Sequence, residues 1–188
     1  MTKDGPDPLR AGLETHIGKP LGGAGPARAP DEVNMPMIRH WVDALDDRNP
    51  VYLDADFASG TRFDGIVAPP AMLQTWTMAR PRIEGIGARG GAAGKAAAGN
   101  PLTTLSEAGY TGTLATNSEL EFERYLRPGD RLESATVLED ISERKTTALG
   151  TGYFVTWVTT YSAGDGEVVG RQRFRILKFR PGNAGEDA

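Results

Sequence analysis

Residues 69 to 80 read PPAMLQTWTMAR, a proline pair followed by a segment with almost no polar face. Proline is tolerated in the first turn of a helix, so this pair can open one. The apolar side chains around the predicted helix are Met72, Leu73, Trp76 and Met78. A helix that is apolar on nearly every side is normally covered by other structure. The stretch therefore predicts a long, buried helix.

The sequence from residue 113 onward has a period of two, which is typical of strands. It predicts four strands, at residues 114 to about 125, 132–138, 153–161 and 168–179. Ser-Ala-Gly-Asp-Gly at 162–166 predicts a hairpin, and Arg-Pro-Gly-Asp at 127–130 predicts a turn. Helices followed by a run of antiparallel strands indicate the α+β class. A long apolar helix wrapped by a curved antiparallel sheet is the hotdog fold.

A second helix is predicted upstream, where apolar residues recur at helical spacing. They are Met35, Ile38, Val42 and Leu45. Asn34 is suited to cap this helix, which we expect to end near Asp46. The loop DDRNPVYLD follows at residues 46–54, and its central Asn-Pro pair disfavours helix.

Glycine and proline cluster in three places, which predicts the domain organisation. Residues 1–32 are expected to form a mobile N-terminal extension, and residues 33–180 a single domain. A Gly/Ala-rich excursion is expected at 85–100, where it can flank a site, and a disordered tail at 181–188.

Composition narrows the classes of function. The chain has 188 residues, 39% of them hydrophobic, and a formal net charge of −4, which gives no attraction to nucleic acid or anionic lipid. It has no cysteine and two histidines, which argues against disulfides, thiolate catalysis and cysteine-built or multi-histidine metal sites. The polar start MTKDGPDPLR resembles neither a signal peptide nor a membrane anchor. We therefore expect a cytoplasmic protein with no metal and no membrane partner.

The loop at 46–54 resembles the signature of the MaoC-like (R)-specific enoyl-CoA hydratases, Gly-Asp-x-Asn-Pro-x-His. Asp47, Asn49 and Pro50 match that signature, Asp46 stands at its glycine and Tyr52 at its catalytic histidine.

Two further segments extend the resemblance. FDGIVAPPAML at 63–73 is similar to the family's segment leading into the hotdog helix, and the turn at 127–130 is similar to the family's later turn. The resemblance covers about residues 33 to 180 and implies the hotdog fold and an acyl-CoA thioester as substrate, with no other cofactor.

The missing histidine limits which part of the family's activity can be expected here. Hydration of an enoyl thioester needs a base for the attacking water, a proton donor, and donors for the charge on the thioester oxygen. A phenol with a pKa of about 10 accepts a proton poorly at neutral pH, unlike an imidazole. His16 and His40 lie outside the loop. We interpret Asp47, Asn49 and Tyr52 as a vestigial site, although the same residues can simply cap a loop.

Within the family, the sequence is most similar to the MaoC-like domain of the larger subunit of actinobacterial steroid side-chain enoyl-CoA hydratases. That resemblance implies a small catalytic MaoC-like partner subunit, an α2β2 heterotetramer and a steroidal enoyl-CoA substrate. It also implies that the hotdog is normally followed by a DUF35 domain that docks a thiolase-like aldolase, and we expect no such domain within these 188 residues. The chain is then either a piece of a longer protein or a single-domain relative.

Candidate substrate contacts lie at the start of the long helix and on the last strand. The amides of Ala71 and Met72 can form an oxyanion hole, or only a helix cap, and Met72 and Trp76 can line an acyl pocket or belong to the core. Arg171, Arg173 and Arg175 share one strand face, which is either a solvated outer face or a site for coenzyme A phosphates.

These observations favour a subunit of a heteromeric enoyl-CoA hydratase that shapes the pocket for a bulky, steroidal acyl group and is inactive alone. Two alternatives stay open. One is a self-sufficient homodimeric hydratase or thioesterase that uses Asp47, and the other is a non-enzymatic acyl-CoA binding or scaffold protein.

Overall fold

A computed structural model describes residues 7–21, 25–79, 83–84, 100–164 and 166–181. Four α-helices are described among these residues: α1 (Pro8–Glu14), α2 (Met35–Leu45), α3 (Ala55–Ser59) and α4 (Pro101–Glu107). Two 3-10 helices accompany them, Pro50–Tyr52 and Pro70–Thr77, and we call the second one the Pro70 helix. The strands are β1 (Ala27–Arg28), β2 (Gly112–Phe122), β3 (Leu132–Ile141), β4 (Lys145–Thr147), β5 (Gly150–Ala163) and β6 (Val168–Pro181).

The strands form one antiparallel six-stranded sheet in the order β1-β3-β5-β6-β2, with β4 paired to β5. All four predicted strands are present, and the predicted hairpin joins β5 to β6. The first strand ends at Phe122, so Tyr125 lies beyond it. A sheet with helices packed against it confirms the α+β class.

The helix predicted over 69–80 is shorter and tighter than expected. It is a 3-10 helix from Pro70 to Thr77, and the backbone turns extended at Met78 (φ −63°, ψ 127°). The predicted burial is confirmed, because Met72, Leu73 and Trp76 are all at least nine-tenths buried.

One hydrophobic cluster joins the Pro70 helix and α2 to the sheet. Its members include Ile38, Val42, Met72, Leu73, Trp76, Leu132, Tyr161 and Val169. The approach is closest at Gly170 in β6, where a Cβ atom would lie 2.7 Å from Cδ2 of Leu73 and 2.6 Å from the carbonyl oxygen of Glu121. Glycine at this position therefore lets the helix lie directly on the sheet.

The N-terminal segment differs from the expected mobile extension. Leu13 of α1 is 2% exposed and lies in a second cluster with Leu105, Leu138, Tyr153 and Ile176. The backbone beyond α1 also bonds to β3, since the amide of Gly18 donates to Leu138 at 2.8 Å. Amino-acid composition does not indicate backbone hydrogen bonds of this kind, so the Gly/Pro content alone predicts mobility where the backbone is held. Residues 85–99 of the predicted excursion and residues 182–188 of the predicted tail lie outside the described residues.

Candidate functional site

The loop at 46–54 (the site loop) begins where α2 ends. Asn34 caps the start of α2 by accepting a hydrogen bond from the Met37 amide at 3.0 Å, as predicted. Asp46 ends the helix in the left-handed conformation, with φ at 50°. Glycine adopts that conformation without strain, which gives a physical reason for a glycine at this place in the signature.

Asp47 and Asn49 hold the site loop through their side chains. The Asp47 carboxylate accepts a hydrogen bond from the Asn49 amide at 3.1 Å, and Oδ1 of Asn49 accepts one from the Val51 amide at 3.2 Å. Both are short-range turn contacts of the kind that Asp and Asn commonly make. The Asp47 carboxylate therefore has a structural contact of its own.

Tyr52 occupies the place of the signature histidine and is 9% exposed. Burial raises the pKa of its phenol above the usual 10, and the nearby Tyr125 and Asp47 raise it further, against a hydrogen bond with Asn49 that lowers it. A phenol whose pKa is raised in this way stays protonated at neutral pH and is a poor general base. The structure thus brings Asp47, Asn49 and Tyr52 together without supplying an imidazole.

The matching segment at 63–73 contacts both the site loop and the stretch around the turn at 127–130. The Val67 amide donates to the Val51 carbonyl at 3.5 Å, and the Ala68 amide donates to the Leu126 carbonyl at 2.8 Å. The Arg127 guanidinium donates to the carbonyl oxygens of Phe63 and Asp64. Segments that are far apart in sequence are therefore neighbours in the fold.

The predicted turn at 127–130 is held by an ion pair. Two nitrogens of the Arg124 guanidinium bond to the Asp130 carboxylate, at 2.7 and 3.2 Å, and Nε of Arg124 bonds to Glu167 at 2.8 Å. The Arg127 amide also donates to Asp130 at 2.7 Å. Burial alone would raise the pKa of Asp130, but these hydrogen bonds and charges lower it below its usual value.

The predicted oxyanion donors have different surroundings. The Met72 amide donates to the Pro69 carbonyl at 3.0 Å, so it is engaged as a helix-end contact, whereas Ala71 is exposed. Met72 and Trp76 are core residues, and Nε1 of Trp76 is buried with no hydrogen-bond acceptor among the described residues. A substrate role for these three residues stays a prediction.

A polar network beside the Pro70 helix went unnoticed in the sequence. Nε2 of the buried Gln172 donates to Gln74 at 3.2 Å and to Ser118 at 3.1 Å, and the Tyr161 hydroxyl donates to Oε1 of Gln172 at 3.3 Å. Burial raises the pKa of Tyr161 to about 12. Gln172 lies between Arg171 and Arg173, so the strand's period of two placed it on the opposite, buried face, which is the signal that could have revealed it.

The three arginines of β6 have partners on the sheet face. Arg171 pairs with Glu123 at 2.6 Å, Arg173 with Glu139 at 2.5 Å, and Arg175 bonds to the Asn117 amide oxygen at 2.7 Å. These contacts are those of a solvated outer face, one of the two interpretations of this strand. A role toward coenzyme A phosphates stays a prediction.

No group of three His, Asp or Glu side chains in the described parts of the chain is arranged to hold a metal ion. His40 is exposed on α2, and His16 lies in the turn after α1. Within the same described ranges, no helix has the length and apolarity needed to cross a membrane.

Several known proteins are similar in sequence to this chain. Residues 22–172 match the family model described as "FAS1-like, dehydratase domain region". A probable enoyl-CoA hydratase alpha subunit of Thermomonospora curvata is 46% identical over 170 residues, covering 90% of this chain and 51% of the relative. The 3-oxo-4,17-pregnadiene-20-carboxyl-CoA hydratase alpha subunit of Mycobacterium tuberculosis is 41% identical over 169 residues, covering 87% of this chain and 50% of the relative. The chain thus spans about half the length of these relatives.

A solved structure shares the fold over nearly its whole length. One chain in the crystal structure of the ChsH1-ChsH2 complex from Mycobacterium tuberculosis superposes with a TM-score of 0.78 at 37% identity. The superposition covers 94% of this chain and 99% of that one. The chain therefore belongs to the FAS1-like dehydratase domain family, the MaoC-like hotdog proteins that the site loop resembles.

Proposed function

We propose that this chain is the pocket-shaping subunit of a heteromeric enoyl-CoA hydratase that acts on a bulky, steroidal enoyl-CoA. The observation that carries the proposal is Tyr52. It stands at the place of the catalytic histidine, is buried, and has a raised pKa. The names of the relatives support the reaction class, since both are alpha subunits of CoA-thioester hydratases.

Hydration needs a group that accepts a proton from water and a group that delivers one to the α-carbon of the substrate. Asp47 could accept a proton, but its carboxylate is engaged by the Asn49 amide and has no imidazole beside it. A half-site of this kind orients the substrate at most. The partner, a small MaoC-like subunit with an intact Asp and His, then performs both proton transfers.

The contribution of this chain would be space for the acyl group. The Pro70 helix ends at Thr77, so it is shorter than the helix that the sequence predicts over 69–80. A half-site released from catalysis can be reshaped in this way without loss of the chemistry. Met72 and Trp76 are the side chains that we expect to set the acyl size. The α2β2 stoichiometry and a DUF35-mediated contact with an aldolase are further predictions of the resemblance.

The test is Asp47→Asn, measured in the complex of this chain with its MaoC-like partner. We expect kcat/KM for a steroidal enoyl-CoA to stay within a few fold of the unsubstituted complex. The matched control is the corresponding Asp→Asn change in the partner's signature, which should lower the rate by about a hundredfold or more, as loss of a general base does. A hundredfold loss from Asp47→Asn would contradict the proposal and favour the self-sufficient enzyme.

A further inference from the structure

A cavity of about 260 Å³ lies beside the site loop. It is lined by Arg62, Phe63, Val67, Arg124, Tyr125 and Arg127, and is called the arginine cavity. Three guanidinium groups line this small surface, in a chain whose net charge is −4. Backbone contact with the site loop is direct, because Val67 bonds to Val51.

The three arginines differ in how far their charge is neutralised. Arg124 is bound by two carboxylates, those of Asp130 and Glu167. Arg127 donates to two backbone carbonyls, and its charge also helps to lower the pKa of Asp130. Arg62 lies 4.9 Å from the centre of the Phe63 ring. Within the described residues, neither Arg62 nor Arg127 has a carboxylate oxygen within salt-bridge distance, so both can receive an anion.

The arginine cavity also has an aromatic wall. The rings of Phe63 and Tyr125 are 4.6 Å apart and tilted by 57°, and both line the cavity together with the arginines. Arginine suits phosphate because its planar donors match two phosphate oxygens. Aromatic rings stack on nucleobases without regard to their sequence. The combination fits a nucleotide that carries phosphate.

The arginines of β6 make an instructive comparison. Arg171 and Arg173 each have a carboxylate partner, and the partner of Arg175 is the Asn117 amide oxygen. An incoming phosphate would have to displace those contacts, whereas the Arg62 guanidinium has no polar partner among the described residues and lies only beside the Phe63 ring. The arginine cavity therefore offers the better phosphate site.

We propose that the arginine cavity binds the adenosine 3′,5′-bisphosphate end of coenzyme A, with Arg62 and Arg127 on phosphate and the Phe63–Tyr125 pair beside the base. The inference rests on the proposed function for the identity of the coenzyme. The volume agrees with a partial site, because pockets for whole ligands of drug size begin at about 300 Å³.

The first test is calorimetric titration of adenosine 3′,5′-bisphosphate into the complex of this chain with its partner. Arg62→Gln and Arg127→Gln should each weaken binding about tenfold, the effect of losing one charge-assisted contact. Arg28→Gln is the matched control, because Arg28 is 81% exposed on β1, outside every candidate site, and should leave binding unchanged. Thermal unfolding of each variant checks folding, and the Arg62 side chain makes no hydrogen bond to the described part of the chain that its loss would disturb.

Several results would overturn the proposal. They are absence of bisphosphate binding, a loss with Arg28→Gln but not with Arg62→Gln, and equal affinity for inorganic phosphate, which would show that the cavity does not recognise the nucleoside. The same variants in the hydration assay should raise KM for the CoA thioester and leave kcat intact. If the complex is active and neither substitution changes its KM for the CoA thioester, only the proposed role of the arginine cavity is refuted. An inactive complex that still loses bisphosphate affinity with Arg62→Gln refutes only the proposed function.

Discussion

Substitution of Asp130 by Asn removes the charge that holds the turn at 127–130. Asp130 accepts two bonds from the Arg124 guanidinium and one from the Arg127 amide, and its side chain is 19% exposed. Asn keeps one acceptor oxygen and turns an NH₂ group toward the guanidinium. Hydrogen bonds to charged groups contribute about 1.5–3 kcal/mol, and fully exposed pairs under about 1 kcal/mol. We expect a loss of about 2 kcal/mol in the free energy of unfolding at neutral pH.

The measurement is urea unfolding followed by circular dichroism, with Glu133→Gln as the matched control. Glu133 pairs with Arg28 at 2.9 Å, but Arg28 is 81% exposed, so this loss should be under about 1 kcal/mol. Equal losses for the two variants would refute the reasoning, because burial and the second hydrogen bond would then have no effect.

The pH dependence gives the same prediction a second check. The pKa of Asp130 is lowered in the folded state, so its stabilisation is present above its unfolded pKa of about 3.9. It is lost as the pH falls from there through the lower folded value. The difference between the unsubstituted protein and Asp130→Asn should therefore be constant from about pH 5 to 7 and shrink below about pH 4. A difference that grows on acidification would contradict this sign.

Three further substitutions test the packing and the site loop. Met72→Ala should lower the free energy of unfolding by about 2–5 kcal/mol because Met72 is 0% exposed. Met78→Ala is the control and should change it by under about 0.5 kcal/mol because Met78 is 63% exposed. Similar values for the two variants would mean that the Pro70 helix is not packed as described. Gly170→Ala should lower the free energy of unfolding by about 1–3 kcal/mol because the new Cβ would meet Leu73 and Glu121. Gly164→Ala is the control, and it should be neutral in the same urea titration because its nearest contact would be 3.8 Å away. A neutral Gly170→Ala would contradict the close approach. Tyr52→Phe should lower stability by about 1 kcal/mol through loss of the bond with Asn49 and leave the kcat of the complex unchanged; a large fall in kcat would give the phenol a chemical role.

The features that could be predicted from the sequence are those written in local side-chain patterns. The period of apolar residues and the Asn34 cap gave α2, Met35–Leu45, and the period of two gave the four long strands. The site loop was found by its motif, and the structure brings Asp47, Asn49 and Tyr52 together as the motif implies.

The features that were missed depend on long-range contacts. Helix α4 follows the Gly/Ala-rich stretch in the sequence. The only local indication of its start is Asn100 before Pro101, which is short enough to be overlooked. The ion pairs of β6 depend on the register between strands, which places Arg173 near Glu119 and Glu139 on different strands. The arginine cavity depends on the contact between residues 62–67 and 124–127, which nothing in either segment specifies alone.

The central claim is that this chain completes a substrate pocket and a partner supplies the chemistry. The direct measurement is hydration of a steroidal enoyl-CoA and of a short-chain enoyl-CoA by this chain alone, by the small MaoC-like partner alone, and by the two purified together. The account predicts efficient hydration only by the complex, with the steroidal substrate preferred. Full activity of this chain alone would contradict it, because Asp47 would then work without a histidine.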